Sequence, residues 1–93
     1  MAFVATTCVV RIEGIMTAPV DTEIVLLNMA GNNYISLDAI GRRIWELLET
    51  PVTVADLCRK LGAEFEATEE QIAADVVPFL TELEHEGLVR VAG

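Results

Sequence analysis

At Asp38 the hydrophobic pattern of this chain changes period, and that change limits what it can fold into. Before Asp38, β-branched and apolar residues come in short runs broken by Gly, Pro and Asn. After it, apolar residues recur three and four positions apart. The first pattern belongs to strands and the second to helices. The order is strands first and helices afterwards, an α+β arrangement with an antiparallel sheet rather than an alternating parallel one.

Val9–Ile12 reads as a first strand, closed by Gly14 and the Ala18-Pro19 pair. Glu23–Met29 reads as a second. The run Ala30-Gly31-Asn32-Asn33 tolerates positive φ and suits a tight hairpin turn into a short third strand, Tyr34–Leu37. Asp38 then caps a first helix whose apolar face holds Ile40, Ile44, Leu47 and Leu48, widened by Trp45. Thr50-Pro51 ends it. Thr53 starts a short second helix with Val54, Leu57, Cys58 and Leu61 inward, and Gly62 stops it. Thr68-Glu-Glu-Gln71 is a full capping box for a third helix reaching about Glu86, with Ile72, Val76, Phe79, Leu80 and Leu83 as its stripe. Pro78 inside it removes a backbone hydrogen bond and predicts a kink. Gly87 closes the helix and Leu88-Val89 returns to the core. The expectation is one domain over 1–93: a winged helix-turn-helix, with a three-stranded antiparallel sheet followed by three helices.

Composition narrows the function. The chain is 53% apolar, high for 93 residues, so some apolar surface is expected to face a partner. Its formal net charge is −9, which disfavours nucleic acid and anionic membranes. A recognition helix for DNA needs Arg or Lys for phosphates, yet residues 64–87 contain neither and hold eight acids. Cys8 and Cys58 stand far apart, outside any zinc or disulfide pattern, and read as free thiols in a reducing cytoplasm. The N-terminal apolar run lacks a basic lead-in and is interrupted by Arg11 and Glu13, so neither a signal peptide nor a membrane span is expected.

Catalysis finds little to work with. His85 is the only histidine, and its place at a helix end suits the dipole. There is no glycine-rich phosphate loop. Carrier domains attach their arm to a Ser after an Asp, whereas Ser36-Leu37-Asp38 runs the other way. No enzyme activity and no cofactor or metal are expected. Binding remains: an open sheet edge takes a further extended segment, and the third helix offers a second wall.

Several stretches carry a resemblance to a known family. Tyr34-x-x-Leu37-x-x-x-Gly41, Ile44-Trp45-x-Leu47-Leu48, Thr53-Val54-x-x-Leu57 and Asp75-Val76-x-x-Phe79-Leu80-x-x-Leu83 together resemble the PqqD family over residues 20–91. The resemblance implies a winged-helix recognition element that binds the leader of a ribosomally made precursor peptide. Such an element presents it to a modifying enzyme, such as a radical-SAM enzyme or a protease/cyclase. It implies leader addition as a strand at Asn33, Tyr34, Ile35, Ser36 and Leu37, beside a helix wall of Asp75, Val76, Phe79 and Glu82. Alternation puts Tyr34 and Ser36 on one face and Ile35 and Leu37 on the other, leaving open which set meets the peptide. Two alternatives stand beside it: an acidic scaffold or homodimer module, and a transcriptional regulator.

Overall fold

A computed structural model describes residues 3–28 and 32–92. In chain order these form β1 (Cys8–Arg11), β2 (Met16–Val20), β3 (Glu23–Asn28), β4 (Asn33–Leu37), α1 (Ala39–Leu47), β5 (Val52–Thr53), α2 (Val54–Phe65), α3 (Glu69–His85) and β6 (Val89–Val91). The strands make two antiparallel three-stranded sheets, in the orders β5-β1-β6 and β2-β3-β4.

The helix starts follow from their caps. Asp38 accepts the Gly41 amide at 2.8 Å, Thr53 accepts that of Asp56 at 3.2 Å, and Thr68 accepts that of Gln71 at 3.1 Å. The Gln71 side chain accepts the Thr68 amide in return, completing the capping box. Each cap satisfies a donor that the first turn leaves unpaired, worth about 1 kcal/mol. At the far end of α3, Gly87 takes a positive φ of 76°. Its amide bonds to Glu84 and that of Leu88 to Leu83, which terminates the helix and turns Leu88 inward. Helix α3 runs unbroken through Pro78, which lies on its exposed side.

Three sequence expectations need correction. A single three-stranded sheet was expected, but β1 does not join the hairpin; it sits between β5 and β6. Val9 and Val10 are both buried, so this strand is covered on both faces. Its partners are two and three residues long, too short to display a period. The stretch read as a break, Gly14 to Pro19, holds all of β2 but its last residue. Proline is tolerated on an edge strand, and β2 is one. Gly62 does not stop α2. It is buried within the helix, which continues to Phe65, where Glu66 adopts φ 52°. A Cβ at position 62 would stand 2.8 Å from the Ala67 carbonyl oxygen, so Gly62 permits the chain to fold back against the helix. Residues 30 and 31 of the expected β3–β4 turn, and residue 29 of the expected strand before it, lie outside the described residues; β3 and β4 pair in register from Asn28 opposite Asn33.

One apolar cluster holds the layers together. Leu26 from β3, Leu48 after α1, Leu57 and Leu61 from α2, and Leu80 and Leu83 from α3 are fully buried. Among the described residues no polar or charged residue is buried with them. Burying a leucine side chain stabilises a fold by roughly 1.5–3 kcal/mol, so this cluster fixes how α3 lies against β3 and β4.

Candidate functional site

Strand β4 has a partner on one side only. β3 pairs with it from Ile24 opposite Leu37 to Asn28 opposite Asn33, and among the described residues no strand covers the other edge. The register identifies which backbone groups face outward. Pro19 has no N–H and sits opposite Ile24, so the ladder there is one whose amide points away from β3. Antiparallel pairs alternate. Ile24 and Leu26 therefore bond toward Leu37 and Ile35, and Tyr34 and Ser36 are left with their N–H and C=O on the open edge.

Beside that edge lies a groove of about 390 Å³ between β4, α1 and α3. Its apolar floor comes from Ile35 and Leu37 on β4, Ile40 and Ile44 on α1, Leu61 on α2, and Ile72, Val76 and Phe79 on α3. Asp38, Asp75 and Glu82, all exposed, supply its charge, and no Lys or Arg lines it. Gly41 sets its depth. A Cβ there would lie 3.2 Å from Leu37 Cβ and 3.3 Å from the Phe79 ring, so the absent side chain lets strand, helix and ring converge.

Seven of the residues singled out in the sequence line this groove: Ile35, Ser36, Leu37, Asp75, Val76, Phe79 and Glu82. The other two do not. Tyr34 is 73% exposed and points to the opposite face of the sheet. Asn33 ties the start of β4 to the end of α3, its amide donating to Glu86 Oε2 at 2.7 Å. Val76 and Leu37 are buried, and Ile35 and Phe79 are half-buried against the core, so these four serve packing as well as the groove. The sequence reading passed over Ile40, Ile44, Leu61, Ile72, Asp38 and Gly41 as groove residues. A signal was present: α1 begins one residue after β4 ends, so its first turns must lie beside that strand.

A larger cleft of about 690 Å³ opens near Arg11, Glu13, Trp45, Glu49 and Arg90. There the Arg11 guanidinium is already engaged, 5.4 Å over the Trp45 ring and donating to its carbonyl at 3.3 Å. Among the described residues no three His, Cys, Asp or Glu converge to hold a metal. Burial pushes the Cys58 thiol pKa up, with Glu69 adding to the shift, so this sulfur stays protonated and poorly nucleophilic. Among the described residues no helix is long and apolar enough to cross a membrane. The groove therefore has the means to hold an extended chain: backbone partners on one wall, apolar recesses on the other and carboxylates around them.

Residues 23–89 match the family described as Coenzyme PQQ synthesis protein D (PqqD). Among solved structures the chain is similar to TbiB1, determined in complex with the TbiA(beta) leader peptide. The two are 28% identical with a TM-score of 0.78, over 90% of this chain and 98% of that one. Its fold is also similar to the PqqD truncation of Methylobacterium extorquens PqqCD, with 22% identity and a TM-score of 0.80 over 96% of this chain and 95% of that one. That protein represents a functional, stand-alone recognition element for ribosomally synthesised and post-translationally modified peptides. No curated protein matches this chain.

Proposed function

The chain belongs to the PqqD family, and from that premise we propose that it binds the leader segment of a ribosomally made precursor peptide and delivers it to a modifying enzyme. The observation that carries the reading is the open β4 edge facing a groove walled by α3. A leader entering as a strand pairs with the outward backbone of Tyr34 and Ser36. Its alternate side chains enter the apolar floor between Leu37 and Phe79. A Lys or Arg of the leader meets Asp38, Asp75 or Glu82. The similarity to TbiB1, whose structure holds a leader peptide, supports the same reading.

In this role the protein is a binding module without catalysis of its own. Helices α2 and α3 with the β2-β3-β4 sheet act as a winged-helix variant in which the wing's edge meets a peptide. The eight acids of residues 64–87 argue against the regulator reading. The free thiols Cys8 and Cys58 suit a cytoplasmic setting. The enzyme served is of the kind that modifies leader-bearing peptides, such as a radical-SAM enzyme or a protease/cyclase.

The test is a titration of the isotope-labelled protein with leader peptides encoded beside its gene, followed by amide shifts. Saturable shifts concentrated on residues 34–38 and 72–82 are the expected result. Saturable shifts confined to the β1–β6 side, or none with any neighbouring leader, would remove this groove as the leader site.

A further inference from the structure

Tyr34 meets the open edge of β4 twice, with its backbone and with its side chain. Its N–H and C=O lie on that edge. Ile35 beside it packs against the core and lines the groove, so alternation turns the Tyr34 side chain to the other face of the sheet. There Leu27 on β3 is its direct cross-strand partner, and Met16 on β2 continues the row. Tyr34 is nevertheless 73% exposed. β3 flanks it on one side, and among the described residues no strand flanks it on the other.

A segment that pairs with this edge necessarily brings one of its residues alongside Tyr34. Cross-strand neighbours share a face, so that residue's side chain stands next to the tyrosine ring, whichever way the segment runs. The residue next to it in the segment turns to the groove face instead. The row that receives the outward side chain, Met16, Leu27 and Tyr34, carries no formal charge. Aromatic and β-branched side chains are the ones that gain from an aromatic cross-strand neighbour, and a tyrosine, with two side-chain torsions, loses little freedom in holding them. Ser36 faces the same way with only a small hydroxyl, which confines the effect to one position. We propose that Tyr34 is a second reading position for the leader and selects an aromatic or β-branched leader residue alongside it, on the face away from the groove. This rests on the reading of the β4 edge as the leader site. It makes the preferred leader one with at least two adjacent apolar residues, one for each face, rather than a plain alternation of apolar and polar ones.

The chain has one tyrosine, so its ring protons are a built-in probe. In the intact chain bound to a leader encoded beside its gene, the Tyr34 ring should show nuclear Overhauser contacts to one aromatic or β-branched leader side chain. Tyr34→Ser should weaken binding by about three- to tenfold in calorimetry, with the circular dichroism unchanged. Met16→Ser, in the same row but on the far strand, should stay within about twofold. Changing the contacted leader residue to Ser should cost about as much as Tyr34→Ser, and the two changes together should cost less than the product of the single losses by at least about twofold. A merely structural tyrosine would weaken every leader alike and show no such coupling. Affinity unmoved by Tyr34→Ser, ring contacts to a charged leader residue or to none, or losses that simply multiply would each overturn the proposal. Saturable amide shifts on residues 34–38 and 72–82 would then still stand for the leader site itself. A chain that binds none of the neighbouring leaders overturns both.

Discussion

Strands β2 and β4 flank the same central strand, are five residues long each, and both leave one edge without a strand partner among the described residues. They differ in what stands beside that edge. Beyond β4 the chain turns at Asp38 into α1, and α3 lies across the gap, so the edge opens into an apolar groove. β2 pairs with β3, all five of its residues are exposed, and Pro19 withholds one donor. The lesson is that an open edge is a liability until a second wall gives it selectivity. On β2 the liability is reduced by a proline; on β4 it is framed by a helix.

The sharpest way to break this comparison is to put a proline on each edge. Ser36→Pro removes an outward N–H from β4 and should weaken leader binding at least about tenfold by calorimetry. Thr17→Pro, the equivalent change on β2, should leave affinity within about twofold. Equal losses from the two would mean that the peptide does not select the β4 edge. Next comes the wall. Gly41→Val places branched carbon where Leu37 and the Phe79 ring converge. Overpacking of this kind costs about 1–3 kcal/mol, to be read as a lowered denaturant midpoint. Leader affinity should fall several-fold in protein that is still folded. Unchanged affinity would show that the groove floor is not used.

Smaller effects sharpen the electrostatic side. Asp75→Lys or Glu82→Lys should reduce affinity for a basic leader about three- to tenfold at low salt, and the difference should shrink as salt is added. A loss that persists at high salt would point to packing rather than charge. The smallest effect concerns the Arg43–Glu64 pair between α1 and α2, at 2.8 Å. Its hydrogen bond to Arg43 holds the Glu64 carboxyl below the usual carboxylate range. The pair therefore contributes at pH values above that range and is lost as pH falls through the lowered pKa. Because it is exposed, Glu64→Gln should lower the Tm by no more than roughly 2 °C at neutral pH, with no difference in strong acid.

Much of this molecule is written locally. Asp38, Thr53 and Thr68 start helices because each side chain reaches an amide three residues on, a contact that needs nothing from the rest of the chain. The stripe of α3 and the β3–β4 pairing are legible for the same reason: periodicity and turn chemistry act over a few residues. The family resemblance carried the site further, to seven residues that line one groove. Tertiary structure decided the rest. Nothing local assigns β1 to Val52-Thr53 and Val89–Val91, since strands of two or three residues show no period and gain their hydrogen bonds only when distant segments meet. Nothing local shows that Gly62 is there for Ala67, or Gly41 for Phe79, because the reason for a missing side chain is the atom that would collide with it. The face that Ile35 and Leu37 present, and the opposite face that Tyr34 presents, were equivalent in the alternating sequence. They became distinct when α1 and α3 covered one side of the sheet and excluded water from it, leaving the other side exposed.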